Sequence, residues 1–189
     1  MRENVFKPLL MEETKITDGM RILDVGCGTA TLALMIKEAF PGVDVVGIDP
    51  DERILRKARD KVDGAGMAIA LDQGSAVKLP YADASFDRAI SSLVFHHLTT
   101  DQKLAAAKEI LRVLRPAGRF ILADFGRPHT LLMRVISAAT YHLEEAADNI
   151  VGRLPEIFRE AGFVDIHETR NFSSLFGTVT FVVAEKPVK

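Results

Sequence analysis

The feature that most constrains the fold of this chain is an alternation of short β-branched runs with longer helical patterns. The runs predict strands at residues 21–25, 43–48, 67–71, 88–93 and 119–123. Helical periodicity covers residues 29–40, 51–62 and 100–114 between them. Such alternation is typical of βα units, in which helices cover both faces of a parallel sheet. The sequence therefore predicts an α/β fold with five parallel strands.

The C-terminal part of the chain departs from this alternation. A helical period covers residues 130–145, and Asp148 is predicted to cap a second helix. Two apolar runs follow at residues 164–169 and 175–184. The gap between these runs, residues 170–174, is too short for a crossover helix, so the two strands must be antiparallel. We therefore expect a seven-stranded sheet that ends in an antiparallel hairpin.

Length and composition predict one domain over residues 1–189. A chain of this size buries roughly 70% of its unfolded surface without needing a disulfide or a metal. The single cysteine, Cys27, cannot pair within the chain, and the residues near it show no metal-ligand spacing. Within the domain we expect a short N-terminal helix in residues 1–19 and a lid-like insertion at residues 126–147.

Charge and hydropathy narrow the expected partners and location. The formal net charge of −2 gives no electrostatic footprint for nucleic acid. No charge-free apolar run approaches the ~18 residues that a membrane span requires. The sequence therefore predicts a cytoplasmic protein that has no membrane span, is a monomer or homodimer, and acts on a small molecule.

The first predicted strand leads into a glycine loop, LDVGCGTAT, at residues 23–31. A dinucleotide fingerprint would carry glycine at Thr31, and it would avoid a carboxylate such as Asp24 facing the pyrophosphate. Both features argue against an NAD(P)-dependent oxidoreductase, which stays as an alternative. A carboxylate next to exposed backbone amides and carbonyls instead suits a zwitterionic ligand with a positive centre.

Residues 24–29, DVGCGT, resemble the first motif of class I S-adenosylmethionine-dependent methyltransferases, an acid followed by glycines at +2, +4 and +6. Later segments resemble the further motifs of that family in the same order, at residues 45–50, 73–87, 88–98 and 111–119. Among its members, the chain is most similar to the ubiquinone/menaquinone-biosynthesis-like small-molecule methyltransferases.

The resemblance implies a Rossmann-like doubly wound sheet with strand order 3-2-1-4-5-7-6. It also implies S-adenosyl-L-methionine as cofactor, S-adenosyl-L-homocysteine as product, and methyl transfer to a small-molecule acceptor by direct displacement. Because acceptors in this family are diverse, the acceptor atom stays open. A second alternative is a non-catalytic S-adenosylmethionine-binding subunit, suggested by the short segment before the first strand and by Ser75.

The resemblance further implies a set of cofactor contacts. Asp49 would accept hydrogen bonds from both ribose hydroxyls, and such charge-assisted bonds are roughly twice as strong as neutral ones. Ser75 stands where the family usually has an aspartate that accepts from the adenine amino group, so we expect weaker adenine binding. The expected cofactor residues are Asp24, Gly26, Cys27, Gly28, Thr29, Asp49, Pro50, Gly74, Ser75, Ala76, Ser91, Ser92 and Leu93.

Displacement at a sulfonium mainly needs alignment and exclusion of water, so a catalytic base is optional. His96 and His97 follow the fourth strand and Asp124 ends the fifth, which makes them candidate catalytic residues. The alternatives are packing for the histidines and, for Asp124, a turn that bonds the amides of residues 126 and 127. Tyr141 and His142 are candidate substrate contacts.

Two further expectations concern packing. Cys27 is interpreted as a small filler of the glycine loop, because no base lies beside it in the sequence. In the predicted helix at residues 130–145, the stripe of Leu132, Ile136, Ala139 and Leu143 is interpreted as a buried face.

Overall fold

The computed structural model describes residues 3–140 and 146–188. The helices are α1 Glu3–Thr14, α2 Thr31–Ala39, α3 Glu52–Gly64, α4 Thr100–Val113, α5 Leu131–Thr140, α6 Ala147–Val151 and α7 Leu154–Ala161. The strands are β1 Arg21–Val25, β2 Asp44–Asp49, β3 Ala70–Gln73, β4 Phe86–Ser92, β5 Leu114–Phe125, β6 Val164–Ser174 and β7 Gly177–Glu185. A 3₁₀ turn, Phe95–His97, follows β4.

The strands form one seven-stranded sheet in the order β3-β2-β1-β4-β5-β7-β6. The first five strands are parallel, whereas β7 is antiparallel to both β5 and β6. The predicted fold class and strand order are thus confirmed. Because the order reverses between β1 and β4, a ligand crevice is expected outside the carboxyl ends of these two strands.

Both faces of the sheet are buried, as is typical of parallel sheets. On one face α4 and α7 pack against alternate residues of β5 such as Phe120 and Leu122. On the other face α1, α2 and α3 pack against the intervening residues, such as Ile121 and Ala123. The period-2 alternation of β5 therefore supplies both halves of the core.

The strand β5 is longer than predicted. It begins at Leu114, which pairs with Phe86, and it includes residues 116–118, which read as a turn in the sequence. The register then shifts, so that Arg88 pairs with Arg119. The structure accommodates the turn residues as an irregularity within the strand rather than as a loop.

The C-terminal hairpin is antiparallel, as predicted, but its turn lies elsewhere. The strand β6 continues through Ser174, and Ser174 pairs with Gly177. The predicted linker at residues 170–174 is therefore strand, and the turn consists of Leu175 and Phe176. The Ser174 hydroxyl donates to the Gly177 carbonyl at 2.8 Å and accepts from the Phe176 amide at 3.2 Å, which closes this two-residue turn.

The predicted helix capped by Asp148 is two helices, α6 and α7, because Gly152 adopts a left-handed conformation that ends α6. Asp148 lies inside α6 rather than at its N-cap. Its carboxylate accepts hydrogen bonds from Thr100 and Arg153 and lies 3.5 Å from Lys103. Asp148 therefore ties α6 to α4 instead of starting a helix.

The expected buried stripe of α5 is wrong at Leu132, whereas Ile136 is half-buried and the side chains of Ala139 and Leu143 lie outside the described residues. Leu132 is exposed, and the buried residue of this turn is Met133. The sequence period did not decide which face of the helix is buried, and packing against β7 buries the face that carries Met133.

Among the helices that the structure describes, none combines the length and the apolar character that a membrane-spanning helix needs.

Candidate functional site

The glycine loop begins where β1 ends, at the switch point of the sheet. The Gly26 and Cys27 amides both donate to the Ile48 carbonyl of β2, at 2.8 and 3.0 Å. The Gly28 amide donates to Oδ2 of Asp49 at 3.0 Å. These bonds hold the loop against the carboxyl end of β2, so that the loop and Asp49 form one wall of the crevice.

Two glycines of this loop have left-handed backbone conformations, with φ of +73° at Gly26 and +54° at Gly28. A Cβ on Gly26 would collide with a methyl carbon of Val94, whereas a Cβ on Gly28 would meet nothing within 4 Å. Gly26 is therefore required by a close contact across the crevice, and Gly28 leaves open space beside the loop.

Ala30 occupies the position of the third glycine in the methyltransferase motif. Its φ of +57° is left-handed, and it forms the N-cap of α2. The loop therefore has not yet turned into the helix at this residue, and α2 starts only at Thr31 instead of residue 29. An L-amino acid is strained in this conformation, whereas glycine is not, so Ala30 carries a cost in backbone conformational energy.

A cavity of about 550 Å³ opens at the carboxyl ends of β1, β2 and β4. Its volume lies within the range of small-molecule and cofactor sites. Its lining consists of Phe6, Lys7, Gly26, Cys27, Gly28, Thr29, Thr31, Asp49, Pro50, Asp51, Ile54, Ser92, Leu93, Val94, His97 and Leu98. Eight predicted cofactor residues and one predicted catalytic residue therefore meet at one cavity.

Asp24 lies in β1, two residues before Gly26, and is only 1% exposed. Neither of its carboxylate oxygens has a hydrogen-bond partner within the described residues. Burial raises the pKa of Asp24 to about 7; the Lys7 ammonium opposes this shift and the Asp49 carboxylate adds to it. A buried carboxylate without hydrogen bonds is costly. The site thus suits a ligand that brings a positive group to Asp24, as the expected cofactor does.

Asp49, at the end of β2, is 8% exposed. Its Oδ2 accepts from the Gly28 amide, and its Oδ1 accepts from the Asp51 amide at 3.0 Å. Each carboxylate oxygen can accept more than one hydrogen bond. The carboxylate is therefore fixed by backbone donors and retains acceptor capacity toward the cavity, which fits its expected contact with a diol.

Cys27 packs within the loop, where its sulfur is the nearest neighbour of a Cβ built on Gly47, at 2.9 Å. Burial raises the pKa of its thiol, and the carboxylates of Asp24 and Asp49 raise it further. The thiol is therefore kept protonated, which disfavours a nucleophilic role. This geometry supports the interpretation of Cys27 as a filler.

Four predicted cofactor residues other than Asp24 do not line the cavity. Ser91 is fully buried, and its hydroxyl donates to the Val25 carbonyl at 2.9 Å. Gly74 donates its amide to the Asp49 carbonyl, and Ser75 accepts from the Val77 amide at 3.4 Å. Ala76 packs against the core. The adenine-binding role of residues 74–76 stays a prediction.

Asp124 anchors the turn after β4. Its Oδ2 accepts from the amides of Val94 and Phe95, at 3.0 and 2.7 Å. Its Oδ1 accepts from the Phe125 amide and lies 2.8 Å from Nδ1 of His96. The sequence suggested that Asp124 accepts from the amides of residues 126 and 127. It accepts instead from the amides of Val94, Phe95 and Phe125. Asp124 is fully buried, and both of its carboxylate oxygens have partners in this turn.

The two candidate histidines differ in position. His96 is buried against Asp124, and its ring lies 4.7 Å from that of Phe125. His97 contacts His96, with ring centroids 4.0 Å apart and ring planes tilted by 39°, and it lines the cavity. His97 is therefore the histidine that can reach a ligand. Tyr141 and His142 lie outside the described residues.

Sequence reasoning missed the contribution of α1. Phe6 and Lys7 line the cavity, although both are nearly buried. The sequence indicated a helix before β1 but carried no signal for where that helix would pack. No cluster of three or more His, Cys, Asp or Glu residues that could hold a metal ion occurs in the described ranges.

Comparisons with known proteins agree with this geometry. A family model described as a methyltransferase domain matches residues 22–118. A demethylmenaquinone methyltransferase from Geobacillus kaustophilus is 32% identical over 83% of this chain and 76% of its own length. The enzyme of the same name from Thermus thermophilus is 38% identical over 57% of this chain, and the match spans only about half, 48%, of that relative.

Solved structures share the fold at lower identity. The YcgJ protein from Bacillus subtilis superposes with a TM-score of 0.78 at 17% identity, over 96% of this chain and 97% of its own. At this identity the likeness concerns the fold alone. The matched sequence segment, residues 22–118, contains the glycine loop, Asp49 and the turn that carries His97.

Proposed function

The chain belongs to the class I S-adenosylmethionine-dependent methyltransferases, and from that premise we propose that it transfers a methyl group from S-adenosylmethionine to a small-molecule acceptor by direct displacement. The observation that carries this proposal is the buried carboxylate of Asp24, which lacks hydrogen bonds and lies two residues before Gly26, where the glycine loop and Asp49 line a cavity. When bound, the cofactor supplies an activated methyl group on a sulfonium.

The cofactor would be held by a carboxylate at its ribose and by two groups of opposite charge at its methionine tail. Asp49 accepts hydrogen bonds from the ribose hydroxyls, using the capacity left by its two backbone donors. Asp24 compensates the ammonium of the methionine tail. Lys7 lines the same cavity and lies near enough to Asp24 to lower its pKa, which suits the carboxylate of that tail.

The remaining wall would align the acceptor and exclude water. Phe6, Leu93 and Leu98 present apolar surface to the cavity, and a dry site favours direct displacement. His97 is the proposed proton acceptor where the acceptor group must lose a proton, because it is the candidate base that lines the cavity. Asp124 and His96 are positioning residues for the turn that carries His97.

The choice of acceptor draws on the relatives named above. The two relatives named above are demethylmenaquinone methyltransferases, so reduced quinones and other hydroxylated aromatics are the first acceptors we propose to test. The formal charge of −2 and the described helices are compatible with our proposal of a cytoplasmic monomer or homodimer.

The decisive experiment has two stages. Calorimetry with S-adenosylmethionine and S-adenosylhomocysteine should show binding in the micromolar range, whereas NADH should give no response. Transfer of a labelled methyl group to a panel of quinols, phenols, amines and thiols then identifies the acceptor. If wild-type protein binds neither sulfur compound, the proposal is wrong; binding without transfer to any acceptor favours the non-catalytic subunit.

The role of the tail-binding charges has its own test. Lys7→Met should weaken binding of S-adenosylhomocysteine about tenfold, but it should leave binding of 5′-methylthioadenosine, which lacks the amino-acid tail, nearly unchanged. Lys108→Met, an exposed substitution on α4, is the matched control. Equal loss of both ligands would contradict the assignment of Lys7 to the tail.

A further inference from the structure

The structure exposes a group of large apolar side chains at one end of the molecule. We define the tip surface as Leu131, Leu132 and Val135 of α5 together with Leu175 and Phe176 of the β6–β7 turn. Leu131 and Leu175 are 78% and 81% exposed, and the other three are more than half exposed. Single exposed apolar residues are ordinary, but a group of this kind marks an interaction surface.

The two parts of the tip surface belong to the same end of the fold. The Nδ1 atom of His129, two residues before α5, lies 2.9 Å from the Thr178 hydroxyl, and its Nε2 lies 3.3 Å from the Ser173 hydroxyl. Thr178 and Ser173 flank the hairpin turn on β7 and β6. These contacts fasten the start of α5 to the base of the turn.

The tip surface also lies at the end of the sheet that carries the cavity. The pair Phe125–Val179 joins the carboxyl end of β5 to the start of β7. The Phe125 ring contacts His96, whose neighbour His97 lines the cavity. The cavity and the exposed apolar residues therefore lie at the same end of the sheet, where the parallel strands have their carboxyl ends.

Within α5 the exposed residues share one face. Leu131 and Val135 are four residues apart, so they are neighbours on the helix surface, and Leu132 lies beside them. Met133, on the opposite side, is 3% exposed, and α5 packs against β7. The apolar face of α5 is therefore turned outward while a separate side of the helix supplies the packing.

The segment that carries the α5 part of the tip surface is basic. Residues 125–143 contain no Asp or Glu, although the whole chain carries 26 of them. The same segment contributes Arg127 and Arg134, both exposed. A helix face with large apolar residues bordered by arginine is typical of segments that lie in the interface of an anionic bilayer.

We propose that the tip surface docks the protein onto an anionic lipid bilayer, with Leu131, Leu132, Val135, Leu175 and Phe176 among the acyl chains and Arg127 and Arg134 at the headgroups. This places the cavity mouth toward the bilayer, where an apolar acceptor would reside. A second copy is the less favoured occupant, because a two-fold contact would bring this acid-free basic segment against its own copy. Docking itself requires neither cofactor nor methyl transfer.

Sedimentation with vesicles tests the docking. Wild-type protein without cofactor should bind vesicles of phosphatidylcholine with 30 mol% phosphatidylglycerol and bind pure phosphatidylcholine more weakly. The double substitution Leu131→Ser/Leu132→Ser should lower the partition coefficient more than tenfold. Val188→Ser, which is also highly exposed, is the matched control and should bind as wild type does.

A separate experiment tests how much the positive charge contributes to vesicle binding. Arg134→Gln should weaken binding roughly five-fold on the anionic vesicles and have little effect on neutral ones, whereas Arg159→Gln, an exposed arginine on α7, should change neither. Absence of vesicle binding by the wild type would overturn the proposal. A second result would also overturn it. In that case the wild type self-associates in analytical ultracentrifugation, and the double leucine substitution abolishes this self-association but leaves vesicle binding unchanged. Neither result bears on cofactor binding, which calorimetry measures independently.

Discussion

The Gly28 amide donates to Oδ2 of Asp49 at 3.0 Å, so the carboxylate that ends β2 also fixes the glycine loop that follows β1. The other oxygen of Asp49 accepts from the Asp51 amide at the start of α3. One side chain thus joins three segments of the cavity wall. Its loss should therefore affect binding through the missing carboxylate and through the position of the loop.

We expect Asp49→Asn to weaken S-adenosylhomocysteine binding by about 10- to 100-fold in calorimetry, because hydrogen bonds to a charged group are worth about 1.5–3 kcal/mol. An asparagine amide also presents a donor to one of the two backbone amides. Asp44→Asn, at the exposed end of the same strand, is the control and should bind normally. Similar affinities for the two variants would contradict the role of Asp49.

Gly26→Ala should lower the free energy of unfolding by about 2–5 kcal/mol in urea denaturation. A left-handed alanine costs about 1–2 kcal/mol, and overpacking against Val94 adds about 1–3 kcal/mol. Gly28→Ala, which meets open space, should cost only the backbone strain. In a Val94→Ala background the cost of Gly26→Ala should fall by at least about 1 kcal/mol; an unchanged cost would exclude the steric explanation.

Ala30→Gly should leave the free energy of unfolding within about 1 kcal/mol of the wild-type value. Loss of a buried methyl group costs about 0.8 kcal/mol, and relief of the left-handed strain returns about 1 kcal/mol. Ala33→Gly, equally buried but inside α2, should cost about 2 kcal/mol, because the helix penalty adds to the methyl loss. Equal costs in denaturation curves would show that Ala30 is not strained.

Asp24→Asn should stabilise the ligand-free protein at pH 8 and have less effect at pH 5. Burial raises the folded-state pKa of Asp24 from 3.8 to about 7. The folded state therefore favours the protonated carboxyl, and stability is lost as the pH rises from about 4 to 7, whereas asparagine does not titrate. Urea denaturation between pH 5 and 8 should show the difference between the two proteins growing by about 1–3 kcal/mol.

The exposed substitution Asp44→Asn serves as the control for that pH series, because the side chain of Asp44 is 63% exposed. Its difference from wild type should stay nearly constant over the same range. A pH-independent difference for Asp24→Asn would contradict the raised pKa. The same variant should bind S-adenosylmethionine more weakly at pH 8, since the compensating carboxylate is absent.

The sequence predicted the parts of the fold that rest on local pattern. Strand–helix alternation identified the five parallel strands, and the short interval between the last two apolar runs required antiparallel pairing. Positions that depend on tertiary contacts were displaced. Residues 116–118 are turn formers, yet pairing with β4 on either side keeps them within β5. The outward face of α5 was likewise set by packing and not by periodicity.

The candidate site shows the same division. Gly26 and Gly28 follow the end of β1, and Asp49 is the last residue of β2, so their positions in the sequence predicted their positions in the crevice. Ser91 precedes Ser92 by one residue in β4, and alternation along the strand directs its hydroxyl to the Val25 carbonyl while Ser92 lines the cavity. The position of Lys7 could not be predicted, because the sequence of α1 does not show which part of the sheet the helix packs against.

The position of β7 between β5 and β6 has a consequence for synthesis on the ribosome. Both neighbours emerge before β7 does, so each waits with an unsatisfied backbone edge until residues 177–185 have left the exit tunnel. Open edges of this kind invite pairing with other chains. Nascent chains stalled before Gly177 should therefore be clients of ribosome-associated chaperones, whereas stalled chains with a C-terminal linker long enough to bring Glu185 out of the tunnel should be released from them.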